Sequence, residues 1–360
     1  MEQIKRIASE FKISGNVTGV EKINIGHINT TYHIFTDGED DYVLQRINTN
    51  IFKDPYKLIE NIRAVTSFLA EKIKKNGGNP KRETLTLIET KNGGHLLEDE
   101  SGFYRMYYFI KDATSYNAVV RPVLFYNAAA AFGKFQKLLG DFPAETLHET
   151  IKNFHNTPSR FRDFCSAVER NATGRADQVK EEIAFIKSRE AFCSAITDKI
   201  ADGSIPLRVT HNDTKLNNIM IDNQTDEGVC VIDLDTVMPG SVLYDFGDSI
   251  RFGASSAAED EKDLSKVYMD LSLFEVYTKG FLKEAKDALN QTELEMLPIG
   301  AIMMTLECGM RFLADYIDGD KYFTIHYEGQ NLDRARTQLK LVADMEKKLP
   351  EMQKIVQKYI

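Results

Sequence analysis

The chain has no tryptophan, only four cysteines and no long uninterrupted apolar run. The cysteines are widely spaced and form no C-x-x-C pair, which argues against a disulfide framework and against a zinc site. The longest apolar stretch, residues 297–313, is interrupted by Glu307 and Arg311 and fits a core helix better than a membrane span. The first residues also lack the apolar segment of a signal peptide. We therefore expect a cytoplasmic protein that does not enter a membrane.

Two phosphate-binding sequence patterns are missing as well. G-x-x-x-x-G-K-[ST] and G-x-G-x-x-G do not occur, so P-loop and Rossmann folds are disfavoured. Acidic residues outnumber basic ones, 54 against 45, and the formal net charge of −9 disfavours general binding to nucleic acid or to an anionic membrane. The 360 residues are long for one core and favour two domains or lobes. Nothing in the sequence indicates a protein partner.

One stretch of the chain carries the residue types needed for phosphoryl transfer. His211, Asp213 and Asn218 follow the pattern H-x-D-x-x-x-x-N, and Asp233 comes at the end of a nearby apolar run. In kinase-type sites the first Asp accepts the proton of the attacking hydroxyl, while the Asn and the later Asp bind magnesium. Carboxylate and amide oxygens are suitable ligands for that hard cation. The pattern therefore predicts a small-molecule kinase that uses ATP and Mg²⁺.

The segment between these residues supports the same interpretation. Two short apolar runs, 219–221 and 229–232, flank a polar stretch that ends in Gly228, as in a β-hairpin. A hairpin would place Asn218 at the start of one strand and Asp233 at the end of the other, so that the two ligands converge. The alternative is an ordinary surface loop with turn-forming Asn and Asp residues.

The distribution of strand and helix patterns predicts an α+β protein with a two-lobed, protein-kinase-like fold. Residues 1–111 would form a small β-rich, nucleotide-binding lobe with one inserted helix, begun by Asp54 and Pro55. Residues 112–360 would form a larger, mostly helical lobe that carries the catalytic residues and the acceptor-binding residues. Predicted strands cover 17–25, 31–35, 42–47, 84–88, 96–98 and 104–109. Predicted helices cover 122–139, 159–171, 176–199, 260–286, 292–318 and 331–348.

The β-rich part contains candidate ATP-binding residues. Between the first two predicted strands, Gly26, Asn29, Thr30 and Thr31 would present backbone amides and hydroxyls to the phosphates; a plain hairpin turn is the alternative.

Arg46, on the next predicted strand, is the expected basic residue, where a protein kinase would place Lys. It is equally explained as a surface charge. Glu60 is a possible partner of Arg46, although an exposed helix-face Glu is the simpler reading. The predicted hinge, residues 107–111, would read adenine through the backbone of Tyr108 and Ile110; a buried edge strand is the alternative.

Longer blocks of sequence resemble the aminoglycoside-phosphotransferase/choline-kinase superfamily of kinase-like enzymes. The blocks are 26–32 (GHINTTY), 205–218 (IPLRVTHNDTKLNN), 232–236 (IDLDT), 238–241 (MPGS), 245–253 (DFGDSIRFG) and 307–316 (ECGMRFLADY). The resemblance implies that Asp213 is the catalytic base and that Asn218 and Asp233 bind Mg²⁺. It implies that Asp235 is a further metal ligand or supports one, and that His211 and Asp245 order the loop around Asp213.

The resemblance also implies a reaction and a substrate: ATP- and magnesium-dependent phosphorylation of the anomeric hydroxyl of N-acetylglucosamine or N-acetylgalactosamine. The candidate sugar-binding residues are His27, Asn212, Asp213, Phe252, Arg311 and Tyr322. Several have simpler explanations, namely Phe252 as core, Arg311 in an i,i+4 ion pair with Asp315 and His27 as a polar turn residue.

Three other functions remain open from the sequence. The chain could be a choline, ethanolamine, homoserine or aminoglycoside kinase of the same fold, and a cationic acceptor would require an acidic or aromatic cage. It could be a non-catalytic kinase-like binding module, although Asp213, Asn218 and Asp233 are all present. It could also be a metal-dependent phosphohydrolase, which would not need the β-rich nucleotide lobe.

Overall fold

The computed structural model describes residues 1–23 and 28–360, with an antiparallel β region followed by a mostly helical one. The predicted kinase-like α+β fold is confirmed. In chain order its elements are α1 (Glu2–Ala8), β1 (Val17–Ile23), β2 (Thr30–Thr36), β3 (Tyr42–Arg46), α2 (Pro55–Lys75), α3 (Pro80–Glu83), β4 (Leu97–Asp99), β5 (Gly102–Tyr108), β6 (Ala113–Thr114), α4 (Pro122–Leu138), α5 (Thr157–Arg170), α6 (Lys180–Lys187), α7 (Ala195–Ala201), β7 (Arg208–Thr210), β8 (Ile219–Asp222), β9 (Gly228–Val231), β10 (Met238–Gly240), α8 (Val242–Gly253), α9 (Leu271–Ala285), α10 (Gln291–Asp318) and α11 (Gln330–Gln357).

The N-terminal sheet has the strand order β1-β2-β3-β5-β4, and every neighbouring pair is antiparallel. Because side chains alternate along a strand, its register divides the residues between two faces. Leu44 lies opposite Met106, on the face that packs with α1 in a small core. Gln45 lies opposite Arg105, on the other face, together with Tyr107, which belongs to the main core of the molecule. This second face is turned toward the helical region.

Helix α2 is the helix that the sequence placed within the β region. Its N-cap is Asp54, whose side chain accepts a hydrogen bond from the backbone N–H of Lys57 at 3.1 Å, and Pro55 occupies the first turn. The apolar side chains at Leu58, Ile62 and Val65 are buried in the main core. The predicted helix is confirmed.

Several predicted elements differ from the structure. Residues 84–88 form only one isolated bridge, Leu87 to Tyr107, because β5 is already paired along one edge with β3 and near its start with β4. The predicted helix 260–286 begins only at Leu271, since Asp270 caps it by accepting hydrogen bonds from the N–H groups of the next turn. In addition, the stretch 176–199 is divided into α6 and α7 with 3₁₀ turns around them.

Helix α10 is the centre of the helical region and packs against α5, α8 and α11. By length and composition alone it could cross a membrane, but 78% of its most apolar window is buried inside the protein. It therefore serves as a core helix here, as predicted. Its close contact with α8 occurs at two glycines, Gly247 and Gly300. A Cβ atom on Gly247 would overlap the backbone carbonyl of Gly300.

We predict that Gly247→Ala destabilises the protein by about 2 kcal/mol or more, because a methyl group between two backbones forces the helices apart. The measurement is the free energy of unfolding in urea. Gly309→Ala is the matched control on α10, where the nearest neighbour is a side-chain carbon, Cβ of Gln338 at 3.0 Å, which has more room to move. Equal losses in the two variants would contradict the backbone contact between α8 and α10.

Candidate functional site

The loop that follows β7, residues 211–218 and hereafter the Asp213 loop, is fixed by the carboxylate of Asp245. This side chain, 2% exposed on α8, accepts hydrogen bonds from the N–H of His211 at 2.9 Å and of Asn212 at 2.8 Å. Asn212 has a left-handed backbone with φ of 64°, a conformation that Asn tolerates. Burial raises the pKa of Asp245, although the surrounding donors oppose that change. The structure places Asp245 where the sequence reasoning expected it.

His211 connects the Asp213 loop to the end of β9. Its Nε2 lies 2.8 Å from the carbonyl oxygen of Ile232, and its Nδ1 accepts a hydrogen bond from the N–H of Asp213 at 3.2 Å. A ring that donates from Nε2 and accepts at Nδ1 is a neutral imidazole. His211 is fully buried against Phe132 and Phe135. It therefore holds the segments before and after the hairpin together, and it is not exposed to solvent.

The carboxylate of Asp213 is held by two donors from its own loop. Lys215 Nζ lies 2.7 Å from Oδ1, and Asn218 Nδ2 donates to Oδ2 at 3.1 Å. Burial raises the pKa of Asp213, but the Lys215 ammonium and these hydrogen bonds outweigh it, so the pKa stays below its ordinary value. The sequence reasoning missed Lys215, although its position two residues after Asp213 was a usable signal.

Asp233 follows β9 and is brought beside the Asp213 loop by a hydrogen bond from the N–H of Ile232 to the carbonyl of Asn218, at 2.9 Å. Its backbone is left-handed, with φ of 59°. Burial and the nearby charges of Asp235 and Asp213 raise the pKa of Asp233 to about 7. The hairpin thus brings Asn218 and Asp233 together, as the sequence predicted.

These residues fit a magnesium ion that arrives with a nucleotide. Burial and then the neighbouring carboxylates Asp235 and Asp213 raise the pKa of Asp233, and a divalent cation beside it would offset both effects. The amide nitrogen of Asn218 is used by Asp213, which leaves its oxygen as the atom for a metal. Within residues 1–23 and 28–360 no group of three or more His, Cys, Asp or Glu is placed to hold a metal alone. Mg²⁺ commonly takes one or two carboxylates and completes its shell with phosphate and water.

Asp235 is engaged from the β region by two residues. Its Oδ1 lies 2.5 Å from Arg105 Nη1, and its Oδ2 accepts from Asn29 Nδ2 at 2.5 Å. Arg105 also donates to Gln45 Oε1, from Nε at 3.0 Å and from Nη2 at 2.8 Å. The sequence reasoning missed Arg105. The signal was an arginine in the middle of an otherwise apolar and aromatic strand, where burial requires a partner.

Arg46 and Thr30 are opposite each other in the sheet, on the face away from Arg105. Arg46 is exposed, and Glu60 pairs with His148 at 2.7 Å. The structure therefore does not bring Arg46 to the other site residues, because neighbouring positions on a strand point to opposite faces. Thr31 lies on the Arg105 face and accepts from Gln45 Nε2 at 3.2 Å.

The remaining ATP-binding candidates lie at the two ends of the β region. Gly26 and His27 fall outside the described residues. Tyr108 ends β5 with its ring stacked on Tyr42, away from the Arg105 face. Ile110 is buried in the main core, and no hydrogen bond among the described residues uses its backbone. Its amide and carbonyl are thus free to contact adenine, as the hinge prediction requires.

On the other side of the Asp213 loop, Arg311 lies among three aromatic rings. Its guanidinium is 5.6 Å from the ring centroid of Phe154, 5.8 Å from Tyr322 and 5.4 Å from Phe323. The ion pair with Asp315, the alternative explanation for Arg311, is not made. Asp315 instead accepts from the N–H groups of residues 321, 322 and 323 at 2.8–2.9 Å, and so positions both rings.

This aromatic cluster connects directly to the Asp213 loop through His155. His155 Nδ1 lies 2.7 Å from Glu307 Oε1, one helical turn before Arg311, and Nε2 lies 3.3 Å from the carbonyl of Asn212. Asn212 itself is 5% exposed, and its amide donates to the carbonyl of Thr236 at 2.8 Å, so that side chain is used to shape the loop. Phe252 is half-buried near the end of α8, beside the buried Arg251.

Comparison with known proteins identifies the family. Residues 19–268 match the family model of the phosphotransferase enzyme family, APH, so the chain belongs to that family. Three similar solved structures share the fold at low sequence identity. A microcompartment-associated aminopropanol kinase is 15% identical with a TM-score of 0.63, and the match covers 98% of both chains. Choline kinase from Cryptosporidium parvum Iowa II is 13% identical with a TM-score of 0.59, covering 98% of this chain and 97% of that one. Amicoumacin kinase hAmiN, in complex with AMP-PNP, Ca²⁺ and Ami, is 12% identical with a TM-score of 0.58, covering 94% and 92%.

The charge at Asp233 leads to a stability prediction for the metal-free protein. With a folded pKa of about 7, the side chain is protonated in both states below its ordinary pKa and costs nothing there. Between about pH 4 and 7 the unfolded chain loses this proton while the folded protein still holds it, so stability falls over that range and the full penalty is present above pH 7. Asp233→Asn should therefore raise the free energy of unfolding at pH 8 by on the order of 2 kcal/mol and leave it nearly unchanged at pH 4.

The measurement is urea unfolding with a chelator present. The control is Asp222→Asn, since backbone donors at Thr225 and Gln224, with Arg82, lower the pKa of Asp222 to about 2. That substitution should destabilise the protein at pH 8, the opposite sign. A loss of stability in Asp233→Asn at pH 8 would contradict the excess charge at this site.

Proposed function

We propose that this phosphotransferase is an N-acetylhexosamine 1-kinase, which transfers the γ-phosphoryl group of ATP to the anomeric hydroxyl of N-acetylglucosamine or N-acetylgalactosamine. Support for the acceptor comes from the resembling sequence blocks and from the environment of Arg311. The alternative within the family is a kinase for a cationic acceptor such as choline or an aminoglycoside.

The observation that carries the proposal is the positive charge of the aromatic cluster next to the Asp213 loop. Within residues 1–23 and 28–360 no salt bridge uses Arg311. A second guanidinium, Arg160, donates to the carbonyl of Phe154 at 3.1 Å, and burial and then the charge of Arg311 lower its pKa. Two carboxylates among the described residues here are already held, Glu307 by His155 and Thr157 and Asp315 by the N–H groups of residues 321–323.

This cluster of two guanidinium groups and aromatic rings suits a neutral, oxygen-rich acceptor. Guanidinium N–H groups donate to hydroxyl and carbonyl oxygens, and aromatic rings such as Tyr322 and Phe323 cover the apolar face of a sugar. A quaternary or primary ammonium would be repelled by Arg160 and Arg311. It would also find no free carboxylate among the groups that surround Arg311.

In the proposed reaction Asp213 receives the proton of the attacking hydroxyl. Lys215 and Asn218 keep its carboxylate ionised and oriented, at the cost of basicity. An anomeric hydroxyl is more acidic than an ordinary alcohol, so a weakly basic carboxylate is sufficient for a late proton transfer. His211 and Asp245 hold the backbone on which these groups are mounted.

For the second substrate, the backbone of Ile110 and Tyr108 would read adenine, while Asn218 and Asp233 would hold the metal. When bound, Mg²⁺ would neutralise charge on the nucleotide phosphates. The contribution of this chain is then mainly the orientation of the two substrates and the exclusion of other geometries.

The test is release of ADP from ATP and Mg²⁺ with N-acetylglucosamine, N-acetylgalactosamine, glucose, choline and an aminoglycoside, with phosphorus NMR of the product. We expect turnover with the acetamido sugars and a sugar 1-phosphate. Asp213→Asn is the control and should lose about 10²- to 10⁴-fold in turnover while still binding nucleotide. Turnover with choline or the aminoglycoside alone would refute the sugar acceptor and keep the kinase.

A second prediction concerns Arg311. Arg311→Leu should raise the KM for the sugar by about 10- to 100-fold, because it removes charged donors to the acceptor, with little change in the KM for ATP. The control is Arg175→Leu, which removes another arginine that lies over an aromatic ring, 4.7 Å from that of Tyr316, and that is paired with Asp320. An unchanged KM for the sugar in Arg311→Leu would remove Arg311 from the acceptor site.

A further inference from the structure

Arg105 is a deeply buried charge on the face of the N-terminal sheet that is turned toward the helical region. It is 1% exposed in the middle of β5, between Tyr104 and Met106. A buried guanidinium needs partners, and Arg105 takes them from two directions. Gln45 on the neighbouring strand accepts two hydrogen bonds, and Asp235, from the segment after β9, supplies the counter-charge.

Each carboxylate oxygen of Asp235 faces a donor, although Oδ1 and the facing Arg105 Nη1 form an ion pair without a well-aligned hydrogen bond. One oxygen lies against Arg105, and the other accepts from Asn29, whose own Oδ1 accepts from the N–H of Asn48 at 3.0 Å. Asn29 comes directly before β2. Three separate pieces of chain therefore meet at one carboxylate: the approach to β2, the centre of β5 and the turn that carries Asp233.

The position of this junction indicates what it does. Asp235 is two residues after Asp233, so anything that fixes Asp235 also fixes the direction in which Asp233 points. The hydroxyl of Tyr107, on the same face of β5 as Arg105, is buried and has no hydrogen-bond partner among the described residues. An orphaned hydroxyl beside this ion pair is consistent with a ligand or ordered water at that place.

From these contacts we infer that Arg105, acting through Asp235, is the positioning residue for the metal-bearing carboxylate Asp233. The sequence predicted the basic residue of this site at Arg46 on β3. In the structure the buried positive charge comes instead from Arg105 on β5. Arg105 does not touch the phosphates. It pairs with Asp235 and, through that carboxylate, couples the segment at Asn29 to the turn at Asp233. The inference rests on the nucleotide and metal site of the proposed function, but not on the identity of the acceptor.

The test is titration calorimetry of the whole protein with ADP plus Mg²⁺, with ADP plus a chelator and with adenosine. Arg105→Met should weaken binding of ADP with Mg²⁺ by tenfold or more and change adenosine binding less than twofold. Arg105→Lys, which keeps a charge, should recover part of the loss. Asn29→Ala removes one contact to Asp235 from a half-buried position and should weaken ADP with Mg²⁺ by several-fold.

The control for a general loss of stability is Arg208→Met. Arg208 forms a similar buried pair with Glu293, 2.5 Å from Nε to Oε1, where β7 meets α10. That variant should lose thermal stability but bind ADP with Mg²⁺ as the wild type does. Should Arg105→Met not fold, Arg105→Lys and Asn29→Ala decide the question.

Two results would overturn the inference. The first is wild-type affinity for ADP with Mg²⁺ in both Arg105→Lys and Asn29→Ala. The second is an equal loss of adenosine and of ADP with Mg²⁺, which would indicate only a structural role for the ion pair. Failure of the wild-type protein to bind ADP at all would instead refute the proposed function.

Discussion

The arrangement of the site depends on one buried carboxylate, that of Asp245. It accepts the backbone N–H groups of His211 and Asn212, and Gln136 donates to it as well, at 2.8 Å. With those amides fixed, the left-handed turn at Asn212 leaves the Asp213 side chain partly exposed and His211 buried behind it. The carboxylate is carried by α8, which the glycine contact holds close to α10. Helix packing and loop geometry are therefore linked through a single side chain.

Charge balance is the second constraint on the site. Asp213, Asp233 and Asp235 lie close enough to one another for the charges of the other two to raise the pKa of Asp233. Each of the outer two has its own cation, Lys215 for Asp213 and Arg105 for Asp235. Among residues 1–23 and 28–360, Asp233 is the member of the three that forms no ion pair. Like charges held close together at some cost in stability are characteristic of functional sites, where a bound ligand of opposite charge offsets them.

Much of the architecture follows from local sequence features. Asp54 and Pro55 begin α2, and the turn-forming segment before Gly228 closes the hairpin that joins Asn218 and Asp233. The failures have local causes too. Residues 84–88 have strand-forming side chains, but β5 has little free edge left for them. Residues 260–270 continue the helical pattern of 271–286, yet Asp270 caps the helix behind them. The residue type of Arg46 fits a phosphate-binding cation, but strand alternation places it on the face of the sheet away from Arg105.

The sequence by itself determined which residue types come together, because His211, Asp213, Asn218 and Asp233 lie beside a single hairpin, and their spacing predicts a base and metal ligands. Only the tertiary structure decided which cation pairs with the carboxylate of Asp235. Arg105 and Asp235 are 130 positions apart along the chain, and an ion pair between such distant residues depends on how the sheet packs against the helices. The environment of Arg311 is likewise a tertiary result, since Asp315 binds the backbone of 321–323 and so brings Tyr322 and Phe323 to it. Contacts within a hairpin are encoded by neighbouring residues, whereas contacts between a sheet and a helix bundle require the whole core to form.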